Sequence, residues 1–314
     1  MTVLDWLLDS DPGIRWQVLQ DLTDAPADVV AAERARVATE GWGARLLGLR
    51  DADGQWAGGA CFPAGQWLDE GGGQPWTSTL PTLTLLRDLG LEPTSAAARE
   101  TVALVRENCR WEYDDLRFFD GEVEPCINGR TVALGAYFGE DVDGIVQRLL
   151  DDQLDDGGWN CEAEHGSTRS SFDSTINVLE GLLAHEQATG GSPRTAAARH
   201  RGEEYLLERS LFRRRSTGEV VSPRFLQFSF PPRWHYDVLR ALDHFRSAGG
   251  RPDGRVDEAV AVVRDRGQPD GTWLLENTHP GAVYFPLEDG DGRPSRWNTL
   301  RALRVLAWHE HSSA

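Results

Sequence analysis

Two aspartates stand directly beside aromatic residues in a way that suits proton transfer. Asp173 follows Phe172 in SSFDST, and Asp237 follows Tyr236 in PPRWHYD. Aromatic walls exclude water, and desolvation raises the pKa of a carboxyl group, as a general acid near neutral pH requires. We therefore predict Asp173 or Asp237 as the proton donor, with His235 as the alternative.

Tryptophans and arginines accumulate in the same segments and in two others, PWTSTL and PSRWN. Aromatic faces attract cations, whereas arginine holds a diphosphate or carboxylate through paired hydrogen bonds. Each residue also has a structural interpretation, because an arginine can pair with an acid, a ring can belong to the core and Asp173 can cap a helix. The predicted substrate-binding residues are Trp76, Phe172, Arg233, Trp234, Tyr236, Arg296 and Trp297.

The composition limits the partners and the compartment. The formal charge is −18, and every basic residue is arginine. A surface this acidic repels nucleic acid, so we expect no nucleic-acid partner. No segment approaches the roughly 20 apolar residues that span a bilayer, and MTVLDWLLDSD lacks the basic start of a secretion signal. These features predict a cytoplasmic protein with no transmembrane segment, whose four cysteines are free thiols.

The elements that must position these residues are helical. The runs 175–188, 235–245 and 297–310 place apolar residues at i, i+3, i+4 and i+7. Aligned on a shared Leu-x-x-Leu step, they belong to a series of six apolar segments. Successive members, including a looser copy at 129–139, are roughly 46 to 67 residues apart. Such a period indicates a repeated supersecondary unit.

A second, more polar helix is predicted between successive members of the series. Six apolar helices can each bury a wide face if they form an inner ring with the polar helices outside. We therefore predict an all-α fold, a single α/α toroid domain of about six helical hairpins over residues 1–314. The segment 218–230 is expected to form short extended pieces inside a loop. The predicted outer helices are 26–38 continued by 41–49, 94–107, 143–153, 194–210 and 255–267.

A recurrent turn lies between the two kinds of helix. QLDDGGW, at 153–159, returns as RDADGQW at 50–56 and as QPDGTW at 268–273. Gln153 and Asp156 are expected to cap helix ends, and the glycines to adopt positive φ. Three copies favour a structural role for the closing tryptophans, which we expect to pack between neighbouring units.

The three turns resemble the Q-x-x-D-G-G-W repeats of squalene and oxidosqualene cyclases and of protein prenyltransferase β subunits. The resemblance runs from about Asp51 to the final helix. It implies the α/α toroid of that superfamily and a central, largely apolar cavity for an isoprenoid chain. The chain departs from the cyclases in lacking their acidic D-x-D-D motif, for which the nearest match is DVDG at 141–144.

The resemblance also implies candidate zinc ligands, because prenyltransferase β subunits bind zinc through an Asp, a Cys two residues later and a distant His. No D-x-C occurs here, but Cys126, Cys161 and His235 lie just before or at the start of apolar helices. A toroid would bring such helix starts to one rim, where helix dipoles favour anions. Thiolate and imidazole are good zinc ligands, so these three residues are the candidate zinc ligands. Buried structural cysteines and an ordinary histidine are the alternative.

Three functions stay open. The first is a terpenoid-cyclase-like or prenyltransferase-like protein that binds, and could cyclise or transfer, an isoprenoid or other apolar substrate. The second is a non-catalytic toroid that binds a lipid or a protein partner. The third is a carbohydrate-active enzyme with paired carboxylates and stacking tryptophans. The turn motif favours the first, although a fold does not fix a function.

Overall fold

A computed structural model of the chain describes residues 2–68 and 72–311. As predicted, the described part is mostly helical, with one short antiparallel pair of strands, β1 (Trp273–Leu274) and β2 (Pro294–Ser295). The segment 218–230 contains a 3-10 helix, Pro223–Leu226, instead of only extended pieces. None of the described helices is both long and apolar enough to cross a bilayer. The α-helices are α1 (Val3–Leu8), α2 (Pro12–Leu22), α3 (Ala27–Ala35), α4 (Gly41–Gly48), α5 (Thr79–Leu89), α6 (Ala96–Asn108), α7 (Pro125–Phe138), α8 (Asp143–Asp151), α9 (Phe172–Thr189), α10 (Pro193–Leu207), α11 (Val238–Ala248), α12 (Asp257–Asp265) and α13 (Arg296–His311).

The six apolar segments of the sequence form α2, α5, α7, α9, α11 and α13, which we call the inner helices. Each of them contacts the next in this series, and α13 also contacts α2. The more polar helices pack against them: α3 contacts α2, α6 and α8 contact α7, and α10 contacts α9. Helix α12 touches both α11 and α13. The alternation of the two helix types therefore follows the sequence pattern.

Helices α7 and α9 approach each other unusually closely because each offers a glycine at the crossing. A Cβ atom on Gly129 would lie 2.4 Å from the carbonyl oxygen of Asn177. A Cβ atom on Gly181 would lie 2.3 Å from the carbonyl oxygen of Gly129. Only a residue without a side chain permits this contact between two backbones.

The three tryptophan turns share one hydrogen-bond pattern. In each, the indole N–H donates to a carbonyl near the end of the preceding polar helix, and the backbone N–H donates to a threonine of the following inner helix. The indole bonds run from Trp56 to Leu46 (2.8 Å), from Trp159 to Leu149 (2.7 Å) and from Trp273 to Val263 (2.7 Å). The backbone bonds run from Trp56 to Thr79 (3.2 Å), from Trp159 to Thr175 (3.1 Å) and from Trp273 to Thr299 (2.9 Å). Each turn thus fastens a polar helix to the next inner helix.

The other residues of the turn differ partly from expectation. Gly157 has φ +98°, a left-handed conformation that glycine adopts without strain, as predicted. Gln153, however, donates to the carbonyl oxygens of Gly157 (2.6 Å) and of Ala198 in the middle of α10 (2.8 Å). Asp156 accepts from the backbone N–H of Ser170 at 3.1 Å. Both side chains tie the turn to neighbouring segments, so the predicted helix-end capping by them is wrong.

Candidate functional site

A cavity of about 610 Å³ is lined by side chains from all six inner helices, and we call it the main cavity. Its wall includes Trp16 of α2, Leu85 of α5, Ala133 of α7 and Leu183 of α9. The segment Phe230–Arg233, which precedes α11, also contributes. A volume of this size lies within the range of roughly 300–1,000 Å³ found for small-molecule sites.

Arginines dominate the polar part of this wall. Seven arginines but only three carboxylates line the main cavity, although the whole chain carries a formal charge of −18. The excess of positive charge inside an acidic protein favours an anionic ligand. The arginines are Arg34, Arg87, Arg130, Arg233, Arg240, Arg301 and Arg304, and the acids are Asp88, Glu180 and Asp243.

Three of these arginines, Arg130, Arg233 and Arg301, have no carboxylate partner within ion-pair distance among the described residues. Arg301 donates instead to the carbonyl oxygen of Ser229 at 3.1 Å. Arg130 is buried, and its Nε and Nη2 atoms have no hydrogen-bond partner there. Arg233 lies over the ring of Trp76, 5.0 Å from its centroid. Burial lowers the pKa of both guanidinium groups, that of Arg233 to about 9, and the charge on Arg130 contributes to the shift at Arg233. An anion between them would restore the stability of both charges.

Arg240 in the same wall shows the opposite arrangement. Arg240 pairs with Glu180 at 2.7 Å, and it also donates to the side chain of Asn177 at 2.9 Å and to the carbonyl oxygen of His235 at 2.7 Å. Burial raises the pKa of Glu180, but the charge on Arg240 outweighs this effect and the net pKa is lowered. This pair is complete without a ligand.

Unpaired polar atoms collect at the main cavity. Among the described residues, seven buried side-chain atoms lack a hydrogen-bond partner, and five of them are nitrogens of residues in its wall. Buried polar groups in folded proteins are otherwise almost always paired, so this concentration points to a ligand. The five atoms are Nε and Nη2 of Arg130, Nδ1 of His244, Nε1 of Trp297 and Nε of Arg304.

The predicted substrate-binding residues are distributed over three cavities and the core. Trp297 lines the main cavity, and Arg233 lines both it and a second cavity of about 200 Å³. Trp76 lines the second cavity and a third one of about 300 Å³, whose wall also contains Trp234 and Tyr236. The remaining two residues line none of these three cavities.

Those two residues make other contacts. Phe172 packs in a cluster of aromatic rings with Tyr205, Phe225 and Tyr236. The guanidinium of Arg296 lies 4.7 Å from the centroid of Trp6, and its Nη2 donates to the carbonyl oxygen of Asp9 at 3.1 Å. These contacts favour the structural interpretation for both residues.

The predicted proton donors lie outside the wall of the main cavity. Asp173 pairs with Arg224 and accepts the backbone N–H of Tyr236 at 2.8 Å. Asp237 is the N-cap of α11 and accepts the backbone N–H of Arg240 at 2.8 Å. Burial raises the pKa of Asp237, the direction expected for it. The geometry nevertheless gives both aspartates structural partners.

His235 lines the third cavity, where its ring stacks on that of His279 with centroids 3.9 Å apart. Burial, together with the neighbouring His279, lowers the pKa of His235 to about 3. The imidazole is therefore neutral at neutral pH, which disfavours it as a proton donor. It also lies outside the group of potential metal ligands described next.

Three side chains form a group that could hold a metal ion. The ligand atoms of Glu124, Cys126 and Cys161 all lie within 4.8 Å of one another. The Cys126 thiol lies 3.5 Å from Oε2 of Glu124, and the hydroxyl of Ser174 donates to the Cys161 sulfur at 3.3 Å. A hydrogen bond with Cys161 and burial raise the pKa of Cys126. The two predicted cysteines are thus joined by Glu124, and all four cysteines of the chain are free thiols, as expected.

Comparison with known proteins adds little to this geometry. No family model matches the chain, and no curated protein is significantly similar to it. A crystal structure of a protein from Actinoplanes is similar at 17% sequence identity and a TM-score of 0.43, covering 95% of this chain and 90% of that one. A TM-score of this size does not establish a shared fold.

The sequence did not single out most of the polar wall. Arg87, Arg240, Arg301 and Arg304 lie within apolar helices, where a charged residue at a core-facing position is the available signal. The sequence also did not single out Glu124, the residue before α7, as a metal ligand.

Proposed function

We propose that the six inner helices close into an α/α toroid and that the main cavity is its centre. The contact of each inner helix with the next, and of α13 with α2, supports this arrangement. The presence of residues from all six helices in the wall of one cavity supports it further. A closed ring gives every apolar helix two neighbours and one shared interior.

We propose that this cavity binds a small molecule with an anionic group and an apolar body. The observation that carries the proposal is the buried guanidinium of Arg130, whose Nε and Nη2 have no partner among the described residues, in a wall that also holds Arg233. Burying such a group without a partner is unfavourable, whereas a phosphate or carboxylate supplies charge-assisted hydrogen bonds. Leu85, Leu183 and Phe230 supply the apolar part of the wall.

An isoprenoid diphosphate is the ligand class that joins this chemistry to the sequence resemblance. Its chain suits the apolar wall, and its head suits the arginines. Cyclisation or transfer of that ligand stays a prediction. A carbohydrate is less well supported, because the ring of Trp297 is covered by Phe230 at a centroid distance of 4.2 Å and Trp76 is covered by Arg233.

Zinc is the ion that we propose for Glu124, Cys126 and Cys161. Two thiolates and a carboxylate are typical zinc ligands, and tetrahedral ligands about 2.3 Å from zinc lie roughly 3.8 Å apart, so small shifts would suffice. The proton held on Cys126 would leave as the metal binds. Cys126 and Arg130 are four residues apart on α7, so they share one face of the helix.

Binding of farnesyl diphosphate and of farnesol, measured by calorimetry, tests the proposed function. We expect the diphosphate to bind more tightly than the alcohol. Ala184→Phe, which fills the main cavity, should weaken binding of both by about tenfold or more, whereas Ala197→Phe, at an exposed position of α10, should change neither. Arg130→Met should weaken diphosphate binding by about tenfold to hundredfold and leave farnesol binding unchanged. Equal binding by the wild type and Ala184→Phe would show that the ligand lies elsewhere.

A further inference from the structure

A histidine in the wall of the main cavity is held by a carboxylate from a neighbouring helix. His244, on α11, has no exposed side-chain surface, and its Nε2 lies 3.0 Å from Oε1 of Glu203 on α10. The residue lines the main cavity, while Glu203 does not. The contact therefore joins an inner helix to a polar helix behind it.

Glu203 is fixed by partners on both oxygens. Besides His244, Oε1 accepts from Arg199 at 2.5 Å, and Oε2 lies 3.0 Å from Nδ1 of His200. Burial raises the pKa of Glu203, but its hydrogen bonds with His244 and Arg199 and the charge on Arg199 outweigh this effect and lower the pKa to about 2. A charged, immobile carboxylate keeps a proton on Nε2 of His244 and sets the orientation of the ring.

The other ring nitrogen has nothing to bind. Nδ1 of His244 is buried and has no hydrogen-bond partner among the described residues. With a proton on Nε2, Nδ1 is a bare acceptor in the neutral ring and becomes an N–H donor in the imidazolium. An anion in the main cavity favours the imidazolium over the neutral ring.

We propose that His244, held by Glu203, takes up a proton when the anionic ligand binds in the main cavity and donates Nδ1–H to a ligand oxygen. The proton comes from solvent. The Nε2–H of His244 stays hydrogen-bonded to Glu203, and no covalent bond of the ligand changes. The inference rests on the proposed function and extends it, because it gives the cavity a second polar anchor. His244 lies four residues, about 6 Å along the helix axis, beyond Arg240 on α11. In this proposal the ligand carries acceptor oxygens for both Arg130 and His244.

Other charged groups surround the histidine, and their titration must be separated from its own. They are Arg199, His200 and Glu203 of α10, Glu180 of α9, Asp243 of α11 and Arg301 and Arg304 of α13. His200 is the other imidazole that contacts Glu203, so it supplies the matched control. His200→Gln removes that imidazole and leaves His244 in place.

The test is calorimetric titration with farnesyl diphosphate at neutral pH in two buffers with different ionisation enthalpies, which reports the protons taken up on binding. We expect uptake by the wild type and by His200→Gln. His244→Gln places an amide near the position of Nε2 and keeps the contact with Glu203, so it should fold, lose the uptake and bind about tenfold more weakly. His244→Asn places its amide near Nδ1 and should recover part of the affinity without the uptake.

The outcomes separate this inference from the proposed function. Unchanged uptake and affinity in His244→Gln would overturn the role of His244, and dependence on Arg130 would still support the anion site. A wild type that does not bind farnesyl diphosphate would overturn both. Glu203→Gln, which keeps the size of the side chain, should reduce the uptake. If it unfolds, the two His244 variants decide the matter, and their folding is checked by thermal unfolding.

Discussion

Two buried tryptophans, Trp159 in a turn and Trp297 in the wall of the main cavity, have nearly the same exposure and opposite hydrogen bonding. The indole N–H of Trp159 donates to Leu149 at 2.7 Å, and its backbone N–H donates to Thr175 at 3.1 Å. The ring of Trp297 stacks on Phe230, but its Nε1 has no partner among the described residues. The indole N–H of the same residue type is thus hydrogen-bonded in the turn and has no partner in the wall of the main cavity.

The difference extends to the two regions as wholes. In the turns, each indole and backbone N–H of the three tryptophans is used within the protein, which is how structural polar groups behave. In the wall of the main cavity, five buried nitrogens are unused. Hydrogen-bonded polar groups indicate a structural role, and the unpaired ones mark the ligand site that we propose. The predictions that follow compare members of the two sets.

The largest difference in stability is expected between variants of two arginines in the wall of the main cavity. Arg240→Met leaves the half-buried carboxylate of Glu180 without its partner and should lower the free energy of unfolding by about 2–4 kcal/mol. Arg130→Met removes a buried charge that has no partner, so the stability of the ligand-free protein should be unchanged or higher. Urea unfolding of both variants measures the difference. A loss of several kcal/mol in Arg130→Met would mean that Arg130 already has a partner in solution.

A smaller difference in stability is expected between variants of the two tryptophans. Trp159→Phe leaves the carbonyl of Leu149, in the last turn of α8, unpaired and should lower the free energy of unfolding by about 1–3 kcal/mol more than Trp297→Phe does. Both substitutions remove similar volume, so the indole hydrogen bond accounts for the difference. Chemical denaturation compares the two variants directly. Equal losses would show that the unpaired indole of Trp297 is as important to folding as the paired one.

The smallest change in stability is expected at the thiols, where the readout is metal content. Protein purified with zinc should hold about one ion, and Cys126→Ser and Cys161→Ser should each lose it. Cys109→Ser, which alters a buried cysteine outside the group, should retain the ion. Elemental analysis after exhaustive dialysis measures the metal. Zinc retained by both Cys126→Ser and Cys161→Ser would place the ion elsewhere.

The sequence predicted the helices well because their pattern is local and repeated. Apolar residues at helical spacing located all six inner helices, and three copies of one sequence motif identified the turns. Even the loose copy at 129–139 proved to be the buried helix α7. The roles of Gln153 and Asp156 were missed because their partners, Ala198 and Ser170, lie in other segments.

The candidate site was predicted less well because it depends on contacts between distant residues. The rule that the starts of the apolar helices share one rim correctly placed Arg233 and Trp297 at the main cavity. The same rule also selected Asp237, which is the cap of its own helix. Glu203 and His244 are 41 residues apart and lie on helices of different type, so no spacing rule joins them. Whether a buried arginine has a partner is likewise invisible in the sequence.

The tryptophan turns have a consequence for how such a molecule can change. They hold neighbouring helices together through residues that do not line the main cavity, as the bonds of Trp56, Trp159 and Trp273 illustrate. Substitutions in the wall can then alter what the interior accepts while the helices keep their places. In such a scaffold, the ligand preference of the cavity can change through single substitutions of lining residues, either by natural selection or by design.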